Sequence, residues 1–233
     1  MKSYFFLIIL SLCIVSNLQA QSSKDLAEAY RANIPLHQEI VSGGYYVDPP
    51  QSIEGDPYFK TKNFKYGTIS INGLSYENIP LLYNIYTDQI VTFHPLHKQK
   101  TLIKTEKIDG FVFLDKSRFV RINENPEYIH HKNGFYELAE EGNANLLVKY
   151  FKTAKPNMQI SKYSSTFTEK SDFFIQKSNS MHLVKSRGKS IWFLGLDKKE
   201  IKRSTKERGL NFKNDRRAYL SFLVESYNQS ENE

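Results

Sequence analysis

Alternating apolar and polar positions predict β-strands through the middle of the chain. In TISINGLSYE, residues 68–77, Asn72 and Gly73 are suited to a two-residue type I′ turn, in which both positions need positive φ. Folding the segment there pairs Thr68 with Glu77 on a polar face. The opposite, core-facing side would carry apolar residues only, namely Ile69, Ile71, Leu74 and Tyr76. Turn chemistry and alternation give the same register, which predicts a β-hairpin.

Residues 80–95, PLLYNIYTDQIVTFHP, predict a second hairpin with its turn near Thr87 and Asp88. Its strands are apolar on both faces, which indicates a pair that is covered on both sides and central in the sheet. Seven further strand candidates follow: TLIKTE, GFVFL, RFVRI, GFYELAE, NLLVKYF, DFFIQK and MHLVKS. Short turns separate them, which favours an antiparallel meander curled into a barrel or a sandwich. The polar residues 152–171 are a possible boundary between two sheets.

Helical periodicity occurs only near the two ends of the chain. A short N-terminal helix is predicted to start at Ser22 or Ser23 and to end at Pro35. Two C-terminal helices are predicted within residues 197–228, the first capped by Asp197 and stopped by Gly209. The second would start at Asn214 or Asp215. Its apolar stripe, which we expect to pack on the body, is Tyr219, Phe222, Leu223 and Tyr227. The predicted fold class is α+β, mainly β, with one domain over residues 21–233.

The first twenty residues have the pattern of a secretory signal peptide. Lys2 precedes an apolar run over residues 4–15, and Ala20 provides a small residue for cleavage. The run is too short to span a bilayer, which needs roughly twenty residues. Cys13, the only cysteine, lies within it, so lipidation of Cys13 is an alternative to cleavage after Ala20. A periplasmic or extracellular location is expected. The mature chain would have no disulfide, thiolate metal site or cysteine nucleophile.

Positive charge is concentrated near the C-terminus. Residues 185–217 contain twelve Lys and Arg against four Asp and Glu, a local excess of +8 in a chain of net charge +7. Lysines four residues apart repel each other on a helix, and a bound anion would relieve that repulsion. The predicted anion-binding residues are Lys198, Lys199, Lys202, Arg203, Lys206, Arg208, Arg216 and Arg217. Candidate partners are anionic lipid headgroups, a polyanionic glycan or an acidic protein. Nucleic acid is not expected, because no nucleic-acid-binding motif accompanies the charge.

Other residue patterns give no catalytic or metal-binding prediction. His94 and His97 lie on a predicted turn, and His130 and His131 are adjacent, but neither pair comes with the further ligands that zinc needs. Phosphate-loop, dinucleotide-binding and serine-hydrolase motifs are absent from the sequence. No cofactor and no catalytic residue is therefore assigned, and the sequence does not indicate an oligomeric state.

Three stretches resemble a group of exported bacterial proteins of unknown function. They are GLSYENIPLLY at residues 73–83, GFYEL at residues 134–138, and the tail over residues 196–227. The resemblance covers most of the mature chain and implies an exported, β-rich body with a helical end. It provides no activity or catalytic residue.

The expected function is a non-catalytic binding or structural module of the bacterial envelope. The alternatives are a hydrolase acting on an envelope or dietary polymer and a lipocalin-like carrier of an apolar ligand.

The signal sequence generates a prediction about processing. We expect the exported protein to begin at Gln21 and to stay in solution without detergent. Intact mass spectrometry of the exported form tests this expectation. A mass corresponding to a chain that begins at diacylated Cys13 would contradict it.

Overall fold

A computed structural model describes residues 38–94, 96–159, 162–178 and 180–231. The predicted signal peptide and N-terminal helix lie outside these residues. The helices are α1 (Gln38–Val41), α2 (Arg187–Leu194), α3 (Lys198–Glu207) and α4 (Arg216–Ser230), and a 3₁₀ turn covers Thr105–Lys107. None of the described helices is long and apolar enough to cross a membrane.

The described strands are eleven in number and run as follows: β1 (Ile53–Glu54), β2 (Lys65–Ile71), β3 (Leu74–Asn84), β4 (Gln89–His94), β5 (Gln99–Leu102), β6 (Ile108–Phe113), β7 (Arg118–Arg121), β8 (Phe135–Glu140), β9 (Ala144–Pro156), β10 (Ser165–Lys177) and β11 (Ser180–Leu183).

One large sheet contains all of these strands. Their order is β1-β10-β9-β8-β7-β6-β2-β3-β4-β5, with β11 beside β10. Neighbours are antiparallel, except that β1 and β10 are parallel. The mainly β fold with antiparallel hairpins is confirmed. The sheet is not closed into a barrel, and the predicted barrel or sandwich is not confirmed.

The described part of the polar segment 152–171 belongs to a hairpin of two long strands in one sheet and does not separate two sheets. β9 and β10 stay paired from Ala144 opposite Lys177 to Pro156 opposite Ser165. A strand needs paired backbone groups more than apolar side chains, so this solvent-facing end of the hairpin remains part of the sheet.

The hairpin between β2 and β3 turns at the predicted residues. Asn72 and Gly73 have φ of 50° and 75°, as a type I′ turn requires. Ile71 pairs with Leu74 and Ile69 with Tyr76, as predicted. Thr68 lies in a β-bulge between Gly67 and Ile69, so the regular pairing of Thr68 with Glu77 is not confirmed.

Leu74 corrects the predicted core face of this hairpin. Ile69, Ile71 and Tyr76 are buried, whereas Leu74 is 42% exposed. Leu74 directly follows the turn, so it lies at the tip of the hairpin. The second hairpin turns at residues 85–88 and is buried on both faces as predicted, apart from Phe93, which is 38% exposed. The hairpin is not central, because β4 has only β5 between it and the edge of the sheet.

Two main apolar clusters stabilise the described fold. The first is enclosed by β2–β4 and β6–β8 and is rich in aromatic rings, such as Phe111 and Phe119 with centroids 4.7 Å apart. The second lies between β8–β10 and the C-terminal helices, where Leu146, Val148 and Ile175 pack with residues of α4. Tyr150 of β9 packs against both clusters, so this strand connects them.

A buried ion pair joins the second hairpin to β9. Asp88 Oδ2 lies 2.6 Å from Lys149 Nζ, and each side chain is only 1% exposed. Tyr83 donates its hydroxyl hydrogen to Asp88 Oδ1 at 2.6 Å, and the Gly134 backbone N–H donates to Oδ2 at 2.9 Å. Burial lowers the pKa of Lys149, and the charge of Asp88 opposes that shift. Each buried charge therefore has a partner, which is the condition for burying charges at all.

The loop before β8 completes this cluster. Lys149 Nζ also donates to the backbone carbonyl of Phe135 at 3.0 Å and lies 5.0 Å from the centroid of the Tyr136 ring. The Asn133 amide donates to the carbonyl of Asp88 at 2.8 Å. The turn of one hairpin, the start of β8 and the middle of β9 are thus held by one polar network. We call it the Asp88 network, and it consists of Asp88, Lys149, Tyr83 and the backbone of residues 134 and 135.

The turn geometry predicts the effect of replacing Gly73. We expect Gly73→Val to lower the free energy of unfolding by more than about 1 kcal/mol, because a β-branched residue resists positive φ. A Cβ at this position meets nothing within 4 Å, so the effect would come from backbone strain alone. Thermal or denaturant unfolding measures it. An unchanged melt would contradict this assignment of the turn.

The Asp88 network predicts the effect of removing one hydroxyl. Tyr83→Phe should lower the free energy of unfolding by about 1–3 kcal/mol, because it leaves Asp88 Oδ1 buried without its donor. Tyr66→Phe is the matched control, since Tyr66 is 51% exposed. Equal stability of the two variants in urea unfolding would show that the hydroxyl of Tyr83 contributes nothing.

Candidate functional site: a basic helical surface

Three helices form a layer on the sheet at its β8–β10 end. Asp197 caps the start of α3, and its carboxylate accepts a hydrogen bond from Glu200 N at 2.8 Å. Asp215 caps the start of α4, and its carboxylate accepts a hydrogen bond from Ala218 N at 2.9 Å. Gly209 follows α3 with φ of 66°, as the sequence predicted. Both predicted C-terminal helices are confirmed.

The helix α2 was not predicted. Ser186 caps its start and Gly195, with φ of 75°, ends it. The sequence contains both the capping serine and the terminal glycine, but Gly188 and the aromatic pair Trp192 and Phe193 have low intrinsic helix propensity. Packing of Ile191 and Leu194 into the second apolar cluster compensates for that.

Two polar contacts fix α4 on the sheet. Arg217 forms a two-pronged ion pair with Glu137 of β8, with NH1–Oε2 at 2.6 Å and NH2–Oε1 at 3.1 Å. Tyr150 donates to the same carboxylate at 2.8 Å. The Asn228 side chain exchanges two hydrogen bonds with the backbone of Ala144, at 2.7 and 3.0 Å. These contacts anchor α4 near each end, and the bond to Glu137 raises the pKa of Arg217.

α3 separates its buried and charged side chains. Ile201 and Thr205 are buried against the layer. At 100° per residue, five exposed basic residues fall within a sector of about 140° on the solvent side. These residues, which we call the basic face, are Lys198, Lys199, Lys202, Arg203 and Lys206. Glu200 and Glu207 project beyond one border of this sector, so the sector itself carries only positive charge.

The structure brings together five of the eight predicted anion-binding residues. None of the five basic-face residues has an ion pair among the described residues. The other three have different contacts. Arg208 lies 4.9 Å from the ring centroid of Phe222, Arg216 lies 5.0 Å from that of Phe212, and Arg217 is paired with Glu137. Arg217 thus serves to attach α4.

An exposed tryptophan lies in the same helical layer and was missed from the sequence. Trp192 of α2 is the chain's single tryptophan and is 81% exposed. It projects about opposite the buried residues Ile191 and Leu194, with Lys189 one turn earlier on a neighbouring face. The outward direction of Trp192 follows only once the bounds of α2 are known, and the sequence analysis predicts no helix there.

Comparisons with known proteins give no relative. No protein-family model matches the chain. No curated protein and no solved structure matches it significantly either.

The histidine pairs noted in the sequence contact neighbouring side chains and do not form a metal site in the described part of the chain. The His94 and His97 rings are tilted against each other with centroids 4.3 Å apart, and His130 stacks on Phe151. His131 shares a hydrogen bond with the Tyr136 hydroxyl at 2.9 Å. Within the described residues, no three His, Cys, Asp or Glu side chains converge as a metal site would require. The Asp88 network is charged but buried, so it cannot meet a ligand without local opening.

Proposed function

We propose that this protein is an exported, non-catalytic binding module that attaches to an anionic component of the bacterial envelope. The observation that carries the proposal is the basic face of α3. Five cationic side chains share one solvent-facing sector and have no counter-ion among the described residues.

The electrostatics of this face favour a partner with many negative charges. Lys198, Lys202 and Lys206 follow one another at intervals of four residues, so their like charges oppose helix formation slightly. Solvated charges act over about 10 Å at 0.1 M salt and over less as salt rises. Binding through them should therefore be weak per residue, additive over several residues and strongly dependent on salt.

The way in which α3 is held supports a binding role. Ile201 and Thr205 are buried, and the Thr205 hydroxyl donates to the carbonyl of Ile201 at 2.7 Å. α3 is joined to α4 by a short connection, and α4 is tied to the sheet by Arg217 and Asn228. The basic face is therefore presented on a packed support, which limits the conformational entropy lost on binding.

The alternative functions have less support. A lipocalin-like carrier needs a closed barrel around a cavity, whereas this sheet is not closed and its first cluster is filled with aromatic rings. A hydrolase needs convergent polar groups in a cleft, whereas the charged pair at the centre of the Asp88 network is buried and closed to a substrate. The signal sequence and the resemblance to exported bacterial proteins support export.

The basic face predicts the behaviour of a triple variant. Replacing Lys198, Lys202 and Lys206 with Gln should leave the melting temperature nearly unchanged, because these side chains are exposed. Each lysine near an anionic bilayer is worth about 1 kcal/mol, so affinity for phosphatidylglycerol vesicles at low salt should fall on the order of a hundredfold. Co-sedimentation across a salt series measures this.

A matched control separates position from net charge. The variant with Lys104, Lys155 and Lys170 replaced by Gln removes the same charge from exposed positions outside the helical layer. We expect it to bind the vesicles almost as well as the parent. If both triple variants bind alike, the basic face is only a solvated surface and the proposal is wrong.

A further inference from the structure

A cleft of about 340 Å³ opens beside the start of α2, and its residues differ from those of the basic face. Its apolar lining comes from the segment after β7, from β10 and from β11: Tyr128, Phe174, Met181 and Leu183. Lys185 and Lys189 stand at the rim, and both are exposed. The volume lies at the lower end of the range of small-molecule sites.

The walls of the cleft are fixed by contacts of their own. Tyr128 donates its hydroxyl hydrogen to Asp172 at 2.8 Å, and the Asn125 amide donates to the Tyr136 hydroxyl at 3.2 Å. Antiparallel pairing of β11 with β10 places Leu183 opposite Phe174. Because these contacts fix its walls, the cleft is already formed without a ligand, and binding loses little conformational entropy in ordering it.

The positive charge at the rim is not balanced by an ion pair in the described chain. Lys185 and Lys189 form none there, and Glu127 is the single acidic residue that lines the cleft. The imidazole of His182 also lines the cleft and interacts electrostatically with both lysines. Its pKa is lowered by burial and then by the positive charges of Lys189 and Lys185.

We propose that this cleft binds a small amphiphilic anion, namely a molecule with one phosphate or carboxylate group on a short apolar body. The apolar body would contact mainly the partly exposed Met181 and Leu183, and the anionic group would lie between Lys185 and Lys189. The apolar lining residues alone would accept neutral molecules, and the two lysines alone would accept inorganic anions. The combination favours a ligand that has both parts.

Octyl phosphate below its micellar concentration is the probe, followed by isothermal titration calorimetry. Octyl glucoside has the same tail with a neutral head, and inorganic phosphate has the head alone. We expect octyl phosphate to bind at least about tenfold more tightly than either, since a charge-assisted contact and the apolar contact each contribute. Equal binding of octyl glucoside, or no binding of octyl phosphate, would overturn the proposal.

A double variant locates the site. Lys185→Gln with Lys189→Gln should weaken octyl phosphate binding by about tenfold or more, because both charged contacts are lost. The control, Lys104→Gln with Lys155→Gln, removes the same charge elsewhere on the surface and should bind within about twofold of the parent. Equal weakening in the two variants would show that the anion responds to net charge and not to this cleft.

Histidine NMR gives a second readout, with the His182 signal assigned by its loss in His182→Gln. Octyl phosphate should raise the pKa of His182 in the parent, because the anion offsets the two lysine charges. The Lys185 and Lys189 double variant should show the raised pKa without ligand. An unchanged His182 pKa at saturating octyl phosphate would place the ligand elsewhere.

Vesicles of phosphatidylglycerol, added in place of octyl phosphate, test the same headgroup chemistry in a membrane. If the natural ligand is a lipid, the vesicles should raise the pKa of His182 as octyl phosphate does. If it is a free small molecule, the vesicles should leave that pKa unchanged.

Discussion

The buried ion pair between Asp88 and Lys149 is the contact on which the described fold depends most. Asp88 has φ of 62°, a left-handed conformation that Asp tolerates better than most residues, and it occupies the turn between β3 and β4. Lys149 comes from the middle of β9, on the other side of β8, β7, β6 and β2 in the strand order. A pair like this is no more stabilising than a well-packed apolar replacement, but the loss of one partner leaves an uncompensated charge in the core. The pair therefore specifies which turn meets which strand.

β9 transmits this constraint to the helical layer. Lys149 binds Asp88, and the next residue, Tyr150, binds Glu137, which also holds Arg217 of α4. Two adjacent residues of β9 therefore connect the Asp88 network with the polar contacts that attach α4. The basic face of α3 thus belongs to a layer that is attached to β9, the strand that carries Lys149.

Prediction from the sequence succeeded where the decisive interactions are local. The turn at Asn72 and Gly73 and the caps at Asp197 and Asp215 depend on residues within a few positions, and all three are confirmed. It failed where the partner is remote. Lys149 lies 61 residues from Asp88, and Arg217 lies 80 residues from Glu137, so neither pairing has a sequence signal. The basic face was predictable from helical spacing, whereas the cleft was not, because its lining comes from separate segments that only the fold assembles.

A double-mutant cycle on Asp88 and Lys149 tests most directly whether this ion pair holds the fold. Urea unfolding of Asp88→Asn, of Lys149→Met and of the variant with both changes gives the coupling free energy between the two side chains. We predict that each single change costs about 3–5 kcal/mol, and that the double change costs less than their sum by roughly 2 kcal/mol or more. Costs that add within about 0.5 kcal/mol would show that the two side chains act independently, and the ion pair would then not be the contact that holds the fold.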